Sequence, residues 1–250
     1  MASIFPWWAR RGLRQHVVRV RTDWVRAAQV INYGPVAAVC YGSRPRTSYR
    51  RGVAGALGLT DEQVVFTGQR STWYNTGIPY TDLRWLGLRP ITTPTSRTRA
   101  LIIHAWRGDD WRVYTFTLDA PLELAQFLSR ETGLPLRELN AREDFGPATA
   151  TRLFQDMHGQ WQPEYDADLY LAPDRLLFDW RDPVVLASML RLDVYPRGEL
   201  LRIEYEAESG DPAVVGFAVR GAEDWAAAIA RRTAAPLAIH SGRKRKDDTN

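Results

Sequence analysis

The sequence predicts a mainly β, α+β protein made of two tandem modules of one kind, each a run of antiparallel strands closed by a C-terminal helix. Two internal matches carry this reading. A strand–turn–strand unit, Leu59-Thr-Asp-Glu-Gln-Val-Val-Phe66, recurs as Leu171-Ala-Pro-Asp-Arg-Leu-Leu-Phe178. A strand–turn–helix unit, Phe116 to Leu136, recurs as Phe217 to Leu237, and in both copies the helix stops just before a proline, Pro135 or Pro236. The order of the units and their spacing also agree, with the length differences falling in loops, where a structural repeat tolerates them.

Taken in order, residues 1–34 form an aromatic and basic N-terminal segment, with a short helix expected between Arg21 and Tyr33. Residues 35–135 form the first module. Its first strand carries Val-Ala-Ala-Val-Cys40, and Asp61 and Glu62 mark the turn of the Leu59–Phe66 hairpin. Longer loops are expected at Gln69–Thr76 and Arg89–Arg99, and a second hairpin joins Ala100–Trp106 to Leu118 through Arg107-Gly-Asp-Asp110. Leu124, Phe127 and Leu128 then share one face of a helix over Pro121–Thr132, with Asp119 and Pro121 suited to its start and Gly133 to its end.

Residues 136–160 read as a connector, in which Ala148–Met157 has the spacing of a short helix. The second module, 161–240, repeats the hairpin (Pro173 and Asp174 at its turn), the Leu200–Glu206 strand, the Ser209-Gly-Asp-Pro212 turn and a Glu223–Thr233 helix; its first strands are less obvious. Residues 241–250 form a charged tail expected to be disordered.

Composition fits a globular protein: 250 residues, 45% hydrophobic and 25% charged. A single cysteine, Cys40, precludes an intrachain disulfide and points to a reducing compartment. No apolar run approaches membrane-spanning length, and the N-terminus lacks the charge order of a secretory signal, so the expected location is cytoplasmic, with attachment to the inner face of the membrane as a variant. The net charge of +4 hides an asymmetry. Residues 1–135 hold 18 Arg against 9 Asp and Glu, whereas residues 136–240 hold 11 Arg against 18. Opposite halves invite either partner selection by the basic half or attraction between halves, within one chain or between two.

The repeated order of elements resembles the pleckstrin-homology superfold, in its bacterial and GRAM-type members. The hairpins Leu59–Phe66 and Ala100–Leu118 and the helix Pro121–Thr132 carry the resemblance, and residues 168–233 look like a shorter copy. It implies two small barrels, each with its terminal helix plugging an open end. It also implies that Tyr41–Gly52, between the first and second strands, is the loop that holds phosphate groups in lipid-binding members. Arg44, Arg46, Arg50 and Arg51 occupy that loop, and guanidinium groups bind phosphate through paired hydrogen bonds. The corresponding stretch of the second module is acidic.

No phosphate loop, zincin motif, nucleophile elbow or paired-cysteine spacing occurs, so no catalytic residue, metal site or cofactor is expected. His104, inside Leu-Ile-Ile-His-Ala-Trp106, reads as a structural residue, and Cys40 as a small buried one. Glu164, Asp166 and Asp168 alternate along a strand and read as charge protecting a strand edge. At the N-terminus, Phe5, Trp7 and Trp8 precede Arg10, Arg11 and Arg14, a composition suited to a membrane interface or a docking partner. The expected function is non-enzymatic binding or scaffolding, directed at a protein partner, a second copy or an anionic surface. Peripheral membrane binding is the second expectation. Nucleic-acid binding through the basic half, with Trp73, Tyr74, Trp85 and Trp106 as stacking platforms, is the third.

Overall fold

Residues rich in Val, Leu, Thr and aromatics, broken by short polar turns, form strands along most of the chain. The computed structural model describes residues 7–26, 30–43, 51–69, 75–94, 96–108, 110–138, 145–180, 182–195 and 199–240; at 7–10, 145–146 and 182 only the backbone is described. The chain divides into two units, Met1–Arg142 and Glu143–Asn250.

The first unit begins with α1 (Trp7–Arg26), a helix longer and earlier than the one expected at Arg21–Tyr33. The strands follow: β1 (Ile31–Cys40), β2 (Val53–Thr60), β3 (Gln63–Gly68), β4 (Thr76–Pro79), β5 (Leu83–Thr92), β6 (Arg97–Arg107) and β7 (Asp110–Leu118). Helix α2 (Pro121–Thr132) and a short strand β8 (Leu136–Glu138) complete it. Hydrogen bonding orders the sheet β4-β3-β2-β1-β7-β6-β5-β8, antiparallel throughout except for the β5–β8 pair. The loop expected at Arg89–Arg99 is mostly strand, because Leu88↔Leu101 through Thr92↔Arg97 pair across a tight Thr93–Ser96 turn.

The second unit repeats this plan element for element: β9 (Phe145–Gln155), β10 (Trp161–Leu171), β11 (Arg175–Phe178), β12 (Asp182–Val185), β13 (Met189–Tyr195), β14 (Leu200–Glu206), β15 (Pro212–Val219), α3 (Ala222–Ala230) and β16 (Leu237–Ile239). Its order, β12-β11-β10-β9-β15-β14-β13-β16, is the first order with every strand advanced by eight. A single 3-10 turn precedes β5 (Tyr80–Asp82) and β13 (Leu186–Ser188) alike. The helix expected over Ala148–Met157 is instead strand β9. Leu153, Phe154 and Met157 fit a helical spacing, but the backbone of β9 is claimed on both sides, by β10 (Ala150↔Ala167) and by β15 (Ala150↔Val219).

Neither sheet closes into a barrel. The edge of β5 is occupied by β8, and that of β13 by β16, after each helix, so β4 and β8, or β12 and β16, stand at opposite ends of an open sheet. Each helix lies on the late strands rather than plugging a mouth: α2 packs on β5, β6 and β8, and α3 on β13, β14 and β16. Leu124, Ala125 and Leu128 of α2 join Leu57, Phe66, Leu101 and Phe116 in one core. Trp225, Ala226 and Ile229 of α3 join Leu169, Phe178, Leu201 and Phe217 in the other. Pro121 sits in the first turn of α2 and Gly133, at φ 70°, ends it, while the N-cap position is Ala120, without a side-chain cap, so Asp119 does not serve that role.

Helix α1 lies on the other side of the β1–β2 pair. Val20 and Trp24 pack on Ala56, and the Trp24 ring is so close to Gly58 that a Cβ there would stand 2.8 Å from it. His16, 5% exposed, bonds through Nε2 to the Thr67 carbonyl at 3.1 Å. No described helix is long and apolar enough to cross a membrane.

Candidate anion-binding site

The pairing of β7 with both β1 and β6 brings three strand ends of the first unit together, and the start of β4 reaches them where Arg107 bonds the Gly77 carbonyl. Beyond the last β1–β7 pair, Cys40↔Phe116, the ladder continues as Tyr41 N to Thr115 O (2.9 Å) and Val113 N to Ser43 O (3.0 Å). That extension carries Ser43 alongside Arg112. The β6–β7 hairpin closes at Arg107↔Asp110. Between these ends lies a cleft of about 420 Å³ lined by Cys40, Gly42, Ser43, Asn75, Thr76, Arg107, Arg112 and Tyr114.

Two guanidinium groups reach this cleft and are held differently. Arg112 bonds Asp110 Oδ2 through Nη2 at 2.6 Å and donates from Nη1 to Ser43 Oγ at 3.4 Å, while its buried Nε has no partner among the described residues. Arg107 is exposed and donates one bond, from Nη1 to the Gly77 carbonyl at 3.2 Å. A half-buried, ion-paired cation beside an exposed one, with hydroxyl and amide groups at Ser43, Asn75 and Thr76, is a donor set suited to an anionic oxygen group.

Among the described residues that line the cleft there is no histidine, aspartate or glutamate. His16 is engaged with Thr67, His104 accepts from Trp111 Nε1 at 3.2 Å, and His240 sits 2.9 Å from Asp193 of the second unit. Cys40, 2% exposed, makes sulfur contacts with the Gly42 backbone. Among the described residues, no three His, Cys, Asp or Glu side chains gather as a metal site.

Of the residues singled out from the sequence, Arg44, Arg46 and Arg50 lie outside the described residues. The residues on either side are described: Ser43 lines the cleft, and Arg51 is exposed just before β2. Phe5 also lies outside. Trp7, Trp8 and Arg10 fall on α1, with only their backbone described, and Arg11 and Arg14 are exposed on the same helix. His104 is fully buried against Trp85 and Trp111. Asp166 bonds Thr151, Glu164 pairs with Arg152 at 3.2 Å, and residues 163–166 form an exposed stretch of β10 paired on one side, by β9. A bulge between Pro163 and Tyr165 takes Glu164 out of the expected alternation. The sequence reading missed Arg107, Arg112, Asn75 and Thr76. The signal was an arginine on each of the two strands joined by the Arg107–Asp110 turn, but the arrival of β1 and β4 at the same place depends on the tertiary pairing.

The equivalent end of the second unit is built otherwise. Ladder register matches Arg107 with Ala207 and Arg112 with Ala213, because Ala105↔Arg112 corresponds to Tyr205↔Ala213. The β9–β10 connection is a tight turn closed by Asp156, whose Oδ1 accepts from the amides of His158 and Gln160, both at 2.9 Å. The Gln160 amide, with help from Gln162 and His158, holds the Asp156 carboxyl below the usual carboxylate range.

No protein-family model matches the chain, and no curated protein matches it either. Among solved structures, the hSac2 domain from human phosphoinositide phosphatase Sac2 is similar over 49% of this chain and 88% of that domain, at 11% identity and a TM-score of 0.35.

Proposed function

We propose that the chain is a non-enzymatic binding protein of two pleckstrin-homology-like modules, the first of which recognises an anionic group on a protein partner or surface. The observation that carries this is the convergence of Arg107 and Arg112 with Ser43, Asn75 and Thr76 on one cleft. The order of seven strands and a helix supports the kinship, and the cleft opens where the arginine-bearing β1–β2 segment begins. The nucleic-acid alternative has less support: Trp85 is buried edge-on to His104, and Trp73 and Tyr74 lie outside the described residues.

Calorimetric titration of the full chain with inositol 1,4,5-trisphosphate, a soluble polyphosphate, tests the reading. Wild type binds, and Arg112→Gln weakens binding about 10- to 100-fold, the loss expected for hydrogen bonds to a charged group. Binding that is absent, or equal in wild type and the Arg107→Gln/Arg112→Gln double variant, refutes it.

A further inference from the structure

Helix α1 presents a second cationic surface, separate from the cleft. Its 20 residues carry six arginines and one acidic residue, Asp23. Leu13, His16, Val20 and Trp24 are buried, and they fix the rotation of the helix against the sheet. The opposite side is therefore set as well. Arg11, Arg14, Val18, Arg21 and Val25 follow one another at alternating steps of three and four, which places them on a single seam about 21 Å long. All five are exposed, and Val18 and Val25 each expose 64% of their surface. One step back, the same spacing reaches Trp7.

Charge and apolarity on one seam narrow the choice of partner. Arginine at three of five seam positions opposes a coiled coil, whose seam must be apolar. Nucleic acid would use the guanidinium groups but has no place for two aliphatic side chains between them. The interface of an anionic bilayer takes both, with guanidinium groups at the lipid phosphates and valines at the start of the acyl region. We infer that the Arg11–Arg14–Val18–Arg21–Val25 seam of α1 is a docking face for an anionic lipid bilayer, on which the helix lies flat while its buried side grips the β1–β2 pair.

The test is co-sedimentation of the full chain with vesicles of phosphatidylcholine alone or mixed with phosphatidylserine. Binding is expected only to the mixed vesicles, and to be lost in high salt. Arg14→Gln/Arg21→Gln should weaken it roughly tenfold or more. Val18→Ser/Val25→Ser, which leaves the charge intact, should weaken it several-fold. Arg107→Gln/Arg112→Gln should leave it unchanged, which separates this face from the cleft. Circular dichroism on each variant checks that the helix persists. No binding to the mixed vesicles overturns the inference. So does binding indifferent to the valine changes, or tighter binding to duplex DNA under the same salt, either of which would assign the seam to a purely electrostatic partner.

Discussion

The cleft end of the first unit and the matching end of the second share one backbone plan and almost no chemistry. Inside, equivalents are conservative: Ala38 and Ala150 pair with Leu118 and Val219, and Phe116 and Phe217 stand at the same ladder position. At the rim, two arginines correspond to two alanines, and the positions from Tyr41 to Gly52 correspond to Leu153–Glu164, where β9 and β10 stay paired as far as Gln155↔Trp161 around the Asp156–Gln160 turn. Residues 1–142 hold 20 Arg against 10 Asp and Glu, while residues 143–250 hold 13 Lys and Arg against 19. The inward faces of the strands and the helix stripe are under packing constraint, since apolar burial drives the fold. Strand ends are free of that constraint, so ligand chemistry can differ there without disturbing the sheet.

Equivalent core positions should therefore respond alike. Phe116→Ala and Phe217→Ala each remove a buried ring, exposed by 0% and 2%, and each should destabilise its own unit by about 3–5 kcal/mol in denaturant unfolding. A large cost at one position and none at the other would break the equivalence.

A smaller effect should distinguish the units by pH. Asp193, 2% exposed, receives bonds from Arg202 (2.7 Å) and Arg191 (3.0 Å) and faces His240 at 2.9 Å; its first-unit counterpart is Gly87. Burial pushes the Asp193 carboxyl up, but bonds from His240, Arg202 and Arg191 together outweigh it, and the net direction is down. With the folded pKa below the unfolded value of 3.8, the stabilisation is present above that value and is lost as pH falls through the folded pKa. The second unit should accordingly lose stability in acid below about pH 4. Asp193→Asn should flatten that acid limb and cost about 1–3 kcal/mol near neutrality, because the arginines are partly solvated. An unchanged acid limb in the variant would remove Asp193 from the explanation.

A comparable effect concerns close approach. Gly58 lies under Trp24 and Gly216 under Trp161, where a Cβ would stand 2.8 and 2.7 Å from the rings. Alanine at either site should cost about 1–3 kcal/mol. Gly58→Ala should also loosen α1, seen as faster proteolysis within residues 7–26. Equal proteolysis of wild type and variant would show that the Trp24–Gly58 contact does not hold the helix.

Much of this architecture was legible in the sequence, for local reasons. The turns at Asp61–Glu62 and Pro173–Asp174 are short-range signals, as is the Leu124–Leu128 stripe, and they gave the repeat. Strand β9 was not legible because Leu153, Phe154 and Met157 satisfy a helical period, and only pairing with β10 and β15 decides the matter. Strands β8 and β16 are three residues each, too short for any period, yet they occupy the edges that a closed barrel would need. The site followed the same rule. The arginine-rich Tyr41–Gly52 segment was visible as composition, whereas Arg107 and Arg112 gained meaning once β1, β4, β6 and β7 met.

Mapping of backbone amide shifts by NMR, as inorganic pyrophosphate is added to the full chain, tests the contrast most directly. Shifts should concentrate at residues 40–43, 75–76 and 107–114 and be absent at 155–161 and 207–213, and Arg107→Gln/Arg112→Gln should abolish them. Shifts of similar size at the two rims, or a pattern that survives the double substitution, would contradict the assignment of anion recognition to the first unit alone.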